Sequence, residues 1–271
     1  MTKKNNYTNL FNLKGKTAVV TGGVGILGRC FCSGLAEFGA NVVIIDIDEK
    51  AVEEFANDLS TQYGVTSIGL KCDTSSPMEV NNALETIVEK MGFIHILHNN
   101  AQGDTAPVIF EDCSLEDWRL TSSVNEEGYF LMAQAVGKQM ISQNVGGSII
   151  QTSSIYGIMG PDHRIYKDSN LNGNLMGSRA VYSFTKSGVI GLTKYLSTYW
   201  ADKNIRVNTI TPGGVESNQN DIFIKKYSSR IPLGRMASKE EMVGALIYLA
   251  SDASSYVTGQ NIIVDGGLDA W

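Results

Sequence analysis

Two side chains spaced for shared chemistry lie in the run Tyr182-Ser183-Phe184-Thr185-Lys186. Residues four apart share one face of a helix, so the phenol and the ammonium can point at one place. A free tyrosine, with a pKa of about 10, exchanges protons poorly at neutral pH, and a nearby cation lowers that value by favouring the phenolate. The pair therefore suits acid–base work on an alcohol–ketone couple. Such spacing is common by chance, so its meaning depends on what else converges on it. Gly147-Ser148-Ile149-Ile150-Gln151-Thr152-Ser153-Ser154 reads as a buried strand ending in hydroxyls. Asn99-Asn100-Ala101 closes another strand, Asn125 lies in a long helical stretch, and Pro212-Gly213-Gly214 comes after a third strand.

A second site is written in Thr21-Gly22-Gly23-Val24-Gly25-Ile26-Leu27-Gly28, which continues a strand-like run directly and leads into a helical one. Gly23, Gly25 and Gly28 satisfy G-x-G-x-x-G, where glycines permit a tight turn, close approach to a pyrophosphate and close helix packing. The helix start offers unpaired N–H groups and a positive dipole end to the phosphates. Asp46 closes the second strand roughly 20 residues past the glycines, where a carboxylate accepts from both adenosine ribose hydroxyls and repels the extra phosphate of NADP. NAD is therefore the expected cofactor, the competing reading of Asp46 being a helix cap. Asp73, after Cys72 at the end of the third strand, could bond an adenine amine beside the Cys72 backbone, or simply form an Asx turn before the Pro77 helix.

The elements that must position these residues alternate. Strands are expected at Thr17–Thr21, Asn41–Asp46, Thr66–Lys71, Ile94–His98, Ser148–Thr152, Ile205–Ile210 and Asn261–Val264, with helical stretches near 25–39, 49–62, 77–91, 115–142, 178–201 and 238–251. Continuously apolar strands between helices mean a parallel sheet buried on both faces and right-handed crossovers. The expected architecture is an α/β single domain over 14–271, a doubly wound parallel sheet (Rossmann fold) of about seven strands, behind an N-terminal tail at 1–13. One segment, 156–180, is out of step: long, polar and rich in Gly, Asn and Asp, it is expected to be a substrate-side insertion and lid. Its His163, Arg164 and Lys167 either grip a substrate carboxylate or phosphate or form a solvated loop surface.

Composition excludes several classes. With 43% hydrophobic and 18% charged residues the chain is an ordinary globular one. A net charge of -6 with no basic run leaves no footprint for nucleic acid. No apolar run approaches the ~18 residues that cross a bilayer, and the polar start lacks a signal-peptide core, so a cytoplasmic protein away from membranes is expected. Cys30, Cys32, Cys72 and Cys113 form no CxxC pair, and with His95, His98 and His163 they give no tetrahedral spacing; no metal is expected, and the thiols read as reduced.

In this combination the chain resembles a classical short-chain dehydrogenase/reductase from about Lys14 to Gly267, ending in Val264-Asp265-Gly266-Gly267. The resemblance implies that Tyr182 is the catalytic acid/base, that Lys186 binds the nicotinamide ribose and tunes the tyrosine, and that Ser154, rather than Ser153, holds the reacting oxygen. It implies that Asn125 holds a relay water, that Asn100 and Ala101 contact the cofactor, and that Val215 and Ser217, past Pro212 and Gly213, meet the carboxamide. It also implies helix pairing between subunits, giving a homodimer or homotetramer, with Asp269-Ala270-Trp271 either reaching a neighbour or fraying. Three departures stand out: the glycines space as TGxxGxxG, Gln102 replaces the usual glycine after Asn-Asn-Ala, and the Ser154–Tyr182 gap is unusually long. The expected activity is NAD(H)-dependent interconversion of a secondary alcohol and a ketone. The polar insertion points to a sugar-like or hydroxy-acid substrate. Rival readings are a 3-oxoacyl-thioester reductase, a sugar-nucleotide epimerase or dehydratase, and a non-catalytic NAD-sensing protein.

Overall fold

A computed structural model describes residues 7–103, 109–171, 174–175 and 177–271. Its strands are β1 (Thr17–Thr21), β2 (Asn41–Asp46), β3 (Ser67–Lys71), β4 (Ile96–Asn99), β5 (Gly147–Thr152), a two-residue pair β6 (Asn170–Leu171) and β7 (Asn174–Leu175), then β8 (Ile205–Pro212) and β9 (Asn261–Val264). The helices are α1 (Ile26–Glu37), α2 (Glu49–Tyr63), α3 (Pro77–Met91), α4 (Leu115–Ser122), α5 (Tyr129–Gln143), α6 (Ala180–Tyr199), α7 (Asp221–Ser228) and α8 (Val243–Ala250). Seven strands pair in parallel in the order β3-β2-β1-β4-β5-β8-β9, so the doubly wound Rossmann sheet expected from the alternation is the one observed. The order reverses between β1 and β4, and a crevice opens beyond the strand ends at such a point.

The central strands bury both faces. On β1, Ala18 and Val20 face Phe31 and Leu35 of α1 and Leu246 of α8, while Val19 faces the layer holding Ile87 of α3 and Met132 and Val136 of α5. Helix starts are set by short polar caps: Asp48 accepts from Ala51 N, and Ser76 accepts from Glu79 N with Pro77 in the first turn behind it.

The stretch expected as one helix over 115–142 is divided. A π-helical segment, Ser123–Gly128, separates α4 from α5 and carries Asn125. A π turn holds an extra residue and rotates the helix beyond it, an effect that period counting does not register. Helix α7 had no counterpart in the expected elements; eight residues are too few for a clear period, and its one local sign is the cap Asn220, which accepts from Phe223 N.

In the described part of 156–180, His163, Arg164 and Lys167 are exposed, as the solvated-surface reading has them, but the segment is anchored by apolar side chains. Ile165 is buried in a third apolar cluster with Ile155, Phe223, Tyr227, Ile231, Met236 and Leu268. Tyr166 stacks on Phe223 with centroids 5.9 Å apart. Arg164 is committed to Asp162 by two bonds of 2.8 and 2.9 Å, so its charge is matched within the segment. Trp271 donates from its ring nitrogen to Arg230 O at 3.0 Å while most of the ring stays exposed. Residues 172, 173 and 176 of the expected lid lie outside the described residues.

This cluster joins the 156–180 segment to α7 without entering the sheet. Phe223→Ala should lower unfolding stability by about 3 kcal/mol or more, the usual cost of emptying a buried aromatic site. Chemical denaturation measures this, and a loss under about 1 kcal/mol would show that the segment is not held by that ring.

Candidate active site

The crevice at the β1/β4 reversal has a volume of about 710 Å³. At one wall the chain turns at Gly22, whose φ of +63° is a left-handed conformation that suits glycine. A Cβ on Gly28 would stand 2.0 Å from Gly22 O, so α1 and the turn close against each other only through glycine. Gly23 packs beneath, where a Cβ would meet Ile44 at 2.6 Å. Gly25 caps α1 without any side-chain bond, so the first-turn amides of Ile26, Leu27 and Gly28 stand at the crevice, all three residues lining it. The turn leaves free amides at the crevice, and the glycines that make it are ones a side chain would obstruct.

Asn100 and Ala101 brace that turn. Both backbone amides donate to Thr21 Oγ1, at 2.9 and 3.0 Å, and the Asn100 side chain donates to Thr21 O and Gly22 O. At the far end Asp46 accepts from Val24 N at 3.2 Å and Ile47 N at 2.8 Å, which fixes its carboxylate on the crevice wall. Asp73 accepts from Ser75 N and Ser75 Oγ, the Asx turn weighed in the sequence, and it also lines the crevice beside Cys72. Burial pushes the Cys72 thiol up to about 12, so it stays protonated. Pro212, Gly213 and Val215 close the opposite wall; Ser217 is not among the lining residues, and its backbone amide donates to Gln219.

Ser154 and Tyr182 line the same crevice. Ser154 Oγ accepts from Tyr156 N, whereas Ser153 Oγ turns away and donates to Lys186 O at 2.6 Å, which separates the two neighbouring serines by direction. Burial pushes the Tyr182 phenol above the ordinary tyrosine range, and a side-chain hydrogen bond with Ser154 pulls it partly back.

Lys186 does not contact the Tyr182 hydroxyl as the i, i+4 argument suggested. Its Nζ donates to Thr152 O at 3.0 Å and to Tyr129 Oη at 3.2 Å, and lies 5.9 Å from the Tyr182 ring centroid. The residue is 1% exposed, and burial brings its pKa down to about 7. Burial is the main influence on Tyr182, with the Ser154 hydrogen bond acting against it.

Sequence reasoning missed this inner layer. Tyr129 Oη donates to Thr152 O at 3.0 Å, and His98 Nε2 pairs with Thr152 Oγ1 at 2.8 Å. His98 is fully buried against Phe31, and desolvation lowers it to about 3, so it is neutral. Asn99 donates to Tyr129 O and to Gln151 Oε1. The only signal in the chain was a polar residue at each of several positions in otherwise apolar strands and helices. Asn125 is also fully buried: its Oδ1 accepts from Gly103 N at 2.9 Å and its amide donates to Thr185 Oγ1 at 3.4 Å.

Among the described residues there is no cluster of ligands for a metal and no helix long and apolar enough to cross a membrane. All four cysteines are free.

Known proteins share this arrangement. Residues 25–269 match the family model described as enoyl-(acyl carrier protein) reductase. A 3-oxoacyl-(acyl-carrier-protein) reductase FabG of Aquifex aeolicus is 34% identical over 260 residues, 94% of this chain and 98% of that protein. A D-threitol dehydrogenase of Mycolicibacterium smegmatis is 32% identical over 266 residues, 95% of this chain and 94% of that one. The crystal structure of a gluconate 5-dehydrogenase from Burkholderia cenocepacia, in complex with NADP and tartrate, superposes with a TM-score of 0.87 at 30% identity, covering 98% of this chain and 100% of that one. With a glycine-turn crevice at the sheet reversal and Ser154 and Tyr182 at its mouth, the chain belongs to the short-chain dehydrogenase/reductase family, oxidoreductases that act on CH–OH groups with a nicotinamide cofactor.

Proposed function

We propose that the protein is an NAD-dependent dehydrogenase of a small polyhydroxylated substrate, a sugar alcohol, sugar or sugar acid. The observation that carries the reading is one crevice with a carboxylate, Asp46, at the ribose end and the Ser154–Tyr182 pair at the other. A bound nicotinamide supplies the hydride acceptor in oxidation and the donor in reduction.

The chain's own groups do the rest. In oxidation Tyr182 Oη takes the proton of the reacting hydroxyl while Ser154 Oγ orients that oxygen; in reduction Tyr182 returns it. Burial raises the phenol, so Tyr182 is held protonated in reduction and, once ionised, is a stronger base in oxidation. Lys186 holds the nicotinamide ribose from the floor of the site, next to Thr152. Asn125 has both ends of its side chain bonded, to Gly103 and Thr185, so its part is to position the crevice wall. The first-turn amides of Ile26, Leu27 and Gly28 hold the pyrophosphate, Asp46 the adenosine ribose, Cys72 and Asp73 the adenine side, and Pro212, Gly213 and Val215 the carboxamide side; Ser217, outside the lining, has no such role.

The preference for polar substrates rests on the segment between Ser154 and Tyr182. Tyr166 donates to Tyr156 Oη at 3.0 Å, and both phenols lie near Tyr182. Paired phenols hydrogen-bond neighbouring hydroxyls of a polyol better than they solvate an acyl chain. The threitol dehydrogenase relative fits this class. A second reading, a 3-oxoacyl-thioester reductase, is favoured by the Aquifex relative. Copies would pair through α5 and α6, which expose Phe130, Ile141, Tyr195 and Tyr199, as a dimer or tetramer in the cytoplasm.

A panel of tetritols to hexitols, aldonic acids and a 3-oxoacyl thioester, assayed by NADH absorbance, should show turnover with a polyol or sugar acid. Turnover with the thioester alone would replace the leading reading by the second. Tyr182→Phe should cut turnover by about a hundredfold or more, in the range that general acid–base catalysis supplies. NADH binding monitored by fluorescence should stay unchanged, and surviving activity would remove the tyrosine from the chemistry. Asp46→Ala should raise kcat/KM with NADP relative to NAD by about tenfold, the effect of relieving about 1.4 kcal/mol of charge repulsion. A wild type that already prefers NADP would overturn the assignment.

A further inference from the structure

Tyr129 opens α5 directly after the π segment and is 1% exposed. Its phenol reaches past β4 to the end of β5, donating to Thr152 O and accepting from Lys186 Nζ. Lys186 also donates to Thr152 O, so the three groups close a ring of hydrogen bonds. The Tyr129 ring itself offers its face to the cation, with Nζ 5.1 Å from its centroid. The groups that face the ammonium among the described residues are Tyr129 from α5, Tyr182 from its own helix, the main chain of Thr152 and, behind it, neutral His98 from β4. Its hydrogen-bond partners are neutral oxygens.

An ammonium has three N–H donors and no preferred torsion of its own at the end of a flexible stem. With two donors committed to Tyr129 and Thr152, the third has a defined direction. We propose that Tyr129 is a positioning residue for Lys186: its hydroxyl anchors the buried ammonium and aims the remaining donor at the Tyr182 side of the crevice. The inference rests on the reading in which Lys186 serves that crevice, and goes beyond it by giving the lysine a dedicated partner. Tyr129 itself stays neutral, because full burial pushes its phenol far above the ordinary range. It can therefore accept from the ammonium, or swing its proton to donate to the free amine, without changing charge.

Lys186 is cationic below its pKa, and an accepting oxygen stabilises that form; removing the oxygen disfavours the cation and moves the titration to lower pH. Tyr129→Phe deletes only the hydroxyl. Thr152 O keeps the Lys186 donor, so no buried acceptor is orphaned and the fold is retained.

The experiment is NMR of the protein carrying 13C at lysine Cε and tyrosine Cζ, with Lys186 assigned by its absence from Lys186→Met and Tyr129 by its absence from Tyr129→Phe. In the wild type the Tyr129 signal should move with the same midpoint as Lys186. In Tyr129→Phe the Lys186 midpoint should drop by about one pH unit, and kcat should fall about tenfold with KM for the alcohol little changed. A Tyr129 signal that is silent while Lys186 titrates, or a Lys186 midpoint that is unchanged in Tyr129→Phe, would overturn the proposal and leave Tyr129 as packing alone. The titrations need no substrate. Failure of the polyol panel with the coupled titration intact therefore sinks the substrate reading and not this one.

Discussion

An ammonium buried with only neutral oxygens around it sets the conditions for the rest of this site. Taking such a charge out of water costs several kcal/mol unless hydrogen bonds replace its hydration. Lys186 meets that demand at Thr152 O and Tyr129 Oη, and those two atoms come from different layers of the fold. Thr152 is the last residue of β5, so the strand's carbonyl faces the crevice only where regular pairing with β8 ends. Tyr129 arrives there because the helix before it is widened into a π segment. Displace either one and the lysine either loses its partners or gives up its charge. The sheet, the π turn and α6 are thus held to one relative placement by a polar requirement, whereas apolar packing of the same helices would tolerate small slips.

The cofactor end is constrained differently. There the demand is steric, and it is met by removal of side chains. Gly28 lets α1 sit against Gly22 O, and Gly22 takes a left-handed turn that brings it onto Ala101. Asn100 then ties β4 to the same turn. The glycine turn is therefore backbone, while residues with side chains such as Asp46, Asp73, Ser154 and Tyr182 line the rest of the crevice. A backbone turn has no rotamers to reorder, so little conformational entropy is lost where a ligand meets it. The departure of Gln102 from glycine is accommodated because that residue stands exposed, outside this packed turn.

These two regimes differ in how plainly they are written in the chain. The strands and the glycine turn were legible because they obey local rules: β-branched runs, glycine spacing, a carboxylate at a strand end. Asp46 and Tyr182 could be singled out from spacing, and Ser154 from the family resemblance. What was not legible depended on residues far apart. Tyr129 and Lys186 are brought together across three elements, and neither His98 nor Thr152 differs in the chain from an ordinary core residue with one polar atom. That Tyr182 and Lys186 share a helix face was legible from spacing, while the burial that acts on both groups was not. Helix α7 and the π segment escaped because one is too short and the other too irregular for a periodic pattern.

The segment between Ser154 and Tyr182 joins both regimes. Its polar composition suggested a substrate-side lid, and Ile155, Ile165 and Tyr166 are spaced so that they meet Phe223 and Tyr227 while Tyr156 and Tyr166 keep their hydroxyls paired. An apolar anchor beneath a polar face is what a wall for a hydrophilic ligand requires. The anchor fixes where the phenols stand, and under the proposed function a ligand with several donors and acceptors would exchange their mutual bond for its own. A hydrocarbon chain offers none, so displacing that bond would cost energy without return. Under the proposed function, discrimination between polyol and acyl substrates would be set in this segment, separate from the proton-transfer groups it adjoins.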